Sequence, residues 1–228
     1  MRSGNFLSAL MCILSVAAIA GGCAQNESDQ KAQTVASGEK SGDNAGSAEA
    51  GKPLPVWAPE AAQLKTLTVA VEPSGAQPKF QAKVPSDWQS NQHFGKGGQV
   101  FMWRGKARAD DTCSVFMIST ATQTPYQKQP LSAEEGMKVL LDSIRFGRQA
   151  GWSQTPVEKG SVEGRPFLRA YWSGVEPNKK KMMHGFCYTT VEGKDLVMIS
   201  GQDYEPFCKE TVAQSEAAAL TYRIVPRG

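Results

Sequence analysis

Histidine is scarce in this chain of 228 residues, which contains only His93 and His184. Imidazole is the usual proton carrier near neutral pH and the commonest metal ligand, so two isolated copies leave little room for either chemistry. His93 sits in Asn91-Gln92-His93-Phe94-Gly95, which reads as a loop, with no partner acid beside it. Closely spaced cysteine pairs of the zinc-binding kind are missing. So is a phosphate-cradling glycine loop: Gly95-Lys96-Gly97-Gly98 has turn character but not the strand–loop–helix setting such a loop needs. No serine stands in a nucleophile-elbow pattern. The sequence therefore offers no catalytic set and implies no cofactor.

Charge is also in short supply. The formal balance is +3, and Lys179-Lys180-Lys181 is the only basic run, the mark of a solvated turn. An excess that small and scattered argues against nucleic acid as a partner. Only one long hydrophobic run exists, Phe6 to Ala20. At 15 residues it falls short of the roughly 20 needed to cross the hydrocarbon core as a helix.

That run has a different use. Arg2 gives a positive start, the apolar stretch follows, and small residues lead to Cys23, the order of an export signal. The ending Ala20-Gly21-Gly22-Cys23 resembles the bacterial lipobox, although Ala20 stands where Leu, Val or Ile is usual. The resemblance implies a signal peptide over residues 1–22 and a lipid attached to the Cys23 thiol. Two or three acyl chains at about 0.8 kcal/mol per buried CH₂ hold a protein firmly to a membrane. Ala24 after the cysteine points, by the same resemblance, to the outer membrane. Residues 24–53 have no aromatic residue and are rich in Ala, Gly, Ser, Glu, Lys and Gln. Such a segment reads as a disordered tether with an r.m.s. span of about 30 Å.

A folded domain is expected over 54–228. The stretches 65–72 and 79–84 alternate as strands do, Pro85-Ser86-Asp87 ends the second, and Trp88 reads as a core anchor. Two further β-rich runs follow at 98–103 and 112–119. Ser132-Ala133-Glu134-Glu135 is a capping box, and Met137, Leu140, Leu141 and Ile144 recur at helical spacing, predicting a helix over 132–149. Strands are predicted near 154–159, 166–173, 182–190 and 194–200. A second helix is predicted over 205–219, with Pro206 in its first turn and Cys208, Val212, Ser215 and Ala219 facing inward. Tyr222 to Val225 would close as a short strand. The fold class is α+β: one antiparallel sheet of six or seven strands with helices on its faces. Trp88, Met137, Leu140, Leu141, Ile144, Trp172, Tyr188, Val197, Ile199 and Val212 are expected in the core.

Three local patterns carry a resemblance. They are Phe80-Gln81-Ala82-Lys83-Val84-Pro85-Ser86-Asp87-Trp88, the hairpin Gly185-Phe186-Cys187-Tyr188 with Gly193, and the closing Thr221-Tyr222-Arg223. Together they resemble the PsbP-like sandwich over about residues 65–225. That resemblance implies a protein-contact scaffold and no particular chemistry.

Two functional readings follow. The first is a membrane-tethered, non-enzymatic binding or assembly module of the cell envelope, with membrane lipid at Cys23 and a protein partner. It faces the periplasm or the exterior. The alternative is a soft-metal protein using Met182, Met183, His184 and Cys187, since thioether, imidazole and thiol suit Cu(I). Strand alternation would put Met182 and His184 on one face and Met183 and Cys187 on the other. Three cysteines fall in the expected domain: Cys113, Cys187 and Cys208. Export would allow one disulfide among three pairings. Cys187 with Cys208 is favoured because the second helix should cross that sheet; three free thiols is the other outcome.

Overall fold

The computed structural model describes residues 53–95, 98–123, 132–148 and 150–225. The expected signal peptide and nearly all of the expected tether lie outside these. An eight-stranded antiparallel sheet dominates. Its strands are β3 (Gln89–Gly95), β4 (Gly98–Arg104), β5 (Val115–Thr122), β6 (Ser153–Gln154), β7 (Glu158–Val162), β8 (Arg165–Glu176), β9 (Lys181–Glu192) and β10 (Asp195–Tyr204). The order is β3-β4-β5-β10-β9-β8-β6, with β7 pairing β8 beside β6. A separate three-stranded sheet holds β1 (Val69–Val71), β2 (Phe80–Val84) and β11 (Arg223–Ile224) in the order β1-β2-β11. Among the described residues three helices accompany the sheets: α1 (Ala61–Leu64), α2 (Ala133–Phe146) and α3 (Cys208–Ala219). The α+β class expected from the sequence is correct. The single sheet is not, because β1, β2 and β11 leave it to form a layer of their own.

Both faces of the large sheet are covered. On one, α2 packs Met137, Leu140, Leu141 and Ile144 against Leu168, Ala170, Trp172, Met183, Cys187, Leu196 and Met198. Its Ser132 side chain accepts the Glu135 N–H at 3.1 Å, the cap read from the sequence. Each of those apolar side chains contributes roughly 1.5–3 kcal/mol when fully buried. On the other face, α3 and the small sheet cover Phe101, Phe116, Ile118, Phe186, Tyr188, Val197 and Ile199. Alternate residues of β10 thus enter two different cores, which is why its sequence reads as an unbroken apolar run.

The second helix departs from expectation in detail. It begins at Cys208, so Pro206 precedes it. Its inward residues are Ser215, Ala217, Ala218 and Ala219, while Cys208 and Val212 are only partly buried. Small residues win here because α3 lies close on the sheet. A Cβ placed on Gly201 of β10 would come within 2.7 Å of the Ser215 Cβ. Trp88 is also only partly buried, at the margin of the core.

Tyr222, fully buried, packs on Phe80 at 5.4 Å between centroids, yet its hydroxyl has no hydrogen-bond partner. Tyr222→Phe removes that orphan group and keeps the ring, so the variant should be as stable as the parent or up to about 1 kcal/mol more so. Thermal unfolding checks this; a fall in midpoint of several degrees would show that the hydroxyl has a partner after all.

Candidate interaction surface

The residues singled out from the sequence do not come together. Met183 and Cys187 are buried in the α2-side core. Met182 and His184, of the opposite parity on β9, point to the other side. The four candidate soft-metal ligands therefore face opposite ways, as strand alternation requires. His184 is exposed and its Nε2 lies 2.8 Å from Glu205 Oε1. Among the described residues Cys113, Cys187 and Cys208 form no disulfide. Cys208 starts the helix on one face of the sheet and Cys187 is buried on the other, so the sheet separates the pair favoured from the sequence. Burial raises the Cys187 thiol pKa far above its usual value, against a smaller opposing pull from Trp172 and Arg148, so it stays protonated. Cys23 lies outside the described residues.

Three polar clusters organise the molecule, and all serve to hold it. In the first, the loop between β4 and β5 swings Arg108 onto Asp203, with Nη1–Oδ1 at 2.8 Å and Nη2–Oδ2 at 2.6 Å. The carboxylate, fully buried, also accepts the Tyr204 N–H and the Thr211 hydroxyl. The guanidinium stacks 4.1 Å from the Phe207 ring centroid. Its hydrogen bonds to Asp203 hold the Arg108 pKa above its ordinary value. Lys181 pairs with Asp110 in the same loop and pulls that carboxyl well below the usual range.

The second cluster mounts the start of the described chain on the sheet edge. Trp57 N–H donates to the Ser161 carbonyl at 2.8 Å and Ser161 N–H to the Pro55 carbonyl at 2.8 Å, a parallel bridge onto β7. The Trp57 ring lies flat over Gly160, where any Cβ would come within 2.3 Å of it. The Arg169 guanidinium lies over the Trp57 ring at 4.2 Å and is fixed by Glu158. Burial opposes the Arg169 charge, but hydrogen bonds with Glu158 and Tyr188 outweigh it and raise its pKa. Glu216 of α3 accepts both the Tyr171 and Tyr188 hydroxyls, at 2.5 and 2.7 Å.

The third is Arg148, buried just past α2. Its Nε donates to Met183 Sδ at 3.2 Å and its charge lies over Trp172 at 5.2 Å. Burial lowers its pKa, and among the described residues it forms no ion pair.

What remains open is an edge. β3 pairs with β4 along its whole length, from Gln89↔Arg104 to Gly95↔Gly98, and among the described residues has no strand on its other side. Every residue from Gln89 to Phe94 is exposed, on both faces of the strand. It contains no Asp, Glu, Lys, Arg or Pro. Natural edges are usually guarded by one of these, by a bulge or by a covering segment. At the far side of the same sheet residues 55–57 lie on β7, while the other end strand there, β6, is only two residues long.

No family model matches the chain, and no curated protein matches it in sequence. Among solved structures it is similar to the cyanobacterial PsbP (CyanoP) of Synechocystis sp. PCC 6803, at 11% identity and a TM-score of 0.49, covering 70% of this chain and 94% of that one. It is also similar to LpqN of Mycobacterium tuberculosis, described as involved in cell envelope biogenesis, at 11% identity and 0.47, covering 69% and 90%. A protein of unknown function from Pseudomonas aeruginosa gives 12% and 0.42, covering 70% and 97%. None of these likenesses carries a function to this chain.

The β3 edge was missed in the sequence because Gln89–Gly95 has no apolar alternation. With neither face buried, no hydrophobic period marks the strand. The one usable signal was the two-residue spacing between Gly95 and Gly98 ahead of a β-rich run.

Proposed function

We propose that this chain is an exported lipoprotein, held to a membrane of the cell envelope through acylated Cys23. Its folded part, PsbP-like in design, acts as a non-enzymatic binding or assembly module. The observation that carries the reading is the contrast between the two edges of the large sheet. On the side where the described chain begins, β7 is covered by the chain itself, through Pro55, Trp57 and the Arg169 clasp. The opposite edge offers a row of unpaired backbone donors and acceptors. Strand addition at such an edge is a recurring mode of protein recognition, with main-chain hydrogen bonds supplying affinity.

The anchor is tested by fractionation. Cys23→Ala moves the protein from the membrane fraction to the soluble envelope fraction or leaves an uncleaved precursor. Mass spectrometry of the parent's N-terminal peptide reads a diacylated or triacylated cysteine. An unmodified Cys23 in the parent removes the anchor. The binding role is tested by cross-linking in cells: a reproducible cross-linked protein supports it. Robust turnover by the purified protein on a broad hydrolase panel would instead make it an enzyme.

A further inference from the structure

We infer that the β3 edge pairs with β3 of a second copy of this chain, antiparallel about a twofold axis at Gln92. This rests on the binding reading above and names the partner. The alternation of hydrogen bonds decides which groups are free. Gly105 N–H donates to the Ser114 carbonyl at 3.0 Å, just beyond the end of the β4–β5 ladder and in its register. Odd-numbered residues of β4 therefore bond to β5 and even-numbered ones to β3. Through the β3–β4 register, Gln89, Asn91, His93 and Gly95 use their backbone groups on β4. Ser90, Gln92 and Phe94 point theirs outward.

A twofold axis through Gln92 sets Gln92 opposite its own copy and Ser90 opposite Phe94 on both sides. All three outward-facing residues are then used, giving about six backbone hydrogen bonds between the copies. Moving the centre to Asn91 or His93 leaves an outward pair hanging beyond the strand. The strand carries no charge, so self-pairing sets no like charges opposite each other, a juxtaposition that destabilises sheet pairs. Phe94, 53% exposed, gains cover from the facing strand.

A twofold contact uses β3 of both copies and so closes on itself as a pair. At the other end of the sheet residues 55–57 bridge onto β7 and β6 is only two residues long, which leaves β3 the longest edge for strand addition among the described residues. The described chain begins beside β7, six strand spacings or about 29 Å across the sheet from β3. Confinement to a membrane would further raise the encounter rate of two anchored copies.

The experiment uses the full chain in its native membranes and after mild detergent extraction. Across a hydrogen-bonded pair the two Cα atoms lie about 5.5 Å apart, within disulfide range. Gln92→Cys should therefore give a band of doubled mass on a non-reducing gel after gentle oxidation, above the background that the parent gives through Cys208. The extracted parent should sediment as a dimer. Gln92→Lys, at an exposed position that leaves the fold alone, should halve that mass. A parent that stays monomeric at every concentration overturns the inference, as does a dimer that Gln92→Lys does not disturb. Either result leaves the binding role standing if cross-linking in cells still captures a different protein, and loss of that capture as well would end both.

Discussion

Asp203→Ala costs the fold about 3–5 kcal/mol, and Arg108→Ala at least as much, read as a fall in the urea midpoint at unchanged slope. The Asp203 carboxylate is fully buried and meets three donors: the Arg108 guanidinium, the Tyr204 N–H and the Thr211 hydroxyl. Removing it takes the buried acceptor away from each of them. Removing Arg108 leaves a buried carboxylate without its counter-charge, the more expensive half of the pair, since the Arg108 side chain keeps 20% exposure and can be partly rehydrated. The double variant Arg108→Leu with Asp203→Leu should lose clearly less than the two single losses added together, because it leaves no uncompensated charge. Single losses below about 1 kcal/mol would show that the clasp is not what ties the β4–β5 loop to β10 and α3.

Raising the pH from 10 to 12 should remove about 4–5 kcal/mol of stability through Tyr188 and Tyr222 alone. Burial raises both phenols well above the ordinary 10.0, with the Glu216 charge adding to the effect at Tyr188 and the Glu192 charge at Tyr222. A group whose folded pKa is raised contributes stability that is whole below the unfolded value and lost as the pH climbs towards the folded one. Each such tyrosine steepens the loss by about 1.4 kcal/mol per pH unit once the unfolded chain ionises. Tyrosinate absorbance near 295 nm and circular dichroism should therefore change together, cooperatively, for these two rings. Tyr188→Phe should shift that alkaline transition upward. If both phenols ionise reversibly near pH 10 while the fold persists, they are not shielded as the packing implies.

Legibility followed burial. Helix α2 was readable because one face is buried and the other wet, so its apolar spacing and its Ser132 cap both stand out. Helix α3 was readable in position and, at Ser215 and Ala219, in part of its contact face, while Ala217 and Ala218 were missed. Gly201 lets it lie so close to β10 that Ser215 and alanines meet the sheet, and such residues carry little hydrophobic signal. Strand β10 was legible as β-structure, but its service to two cores was hidden in Leu196-Val197-Met198-Ile199. The candidate edge β3 was invisible as a strand, since its sequence of Gln, Ser, Asn and His has no buried side to impose a period. Nor could the sequence show that Arg108 and Asp203, 95 positions apart, share one buried ion pair.

The sequence by itself determined the antiparallel α+β class and the span of α2, because these depend on periods of two and 3.6 residues. Tertiary structure alone decided which strands form the second sheet, which face of the large sheet each cysteine and methionine enters, and which edge is left open. These are properties of pairing order. A strand's own residues specify that it needs a neighbour, while the neighbour it receives depends on how every other strand and helix is accommodated in the same core.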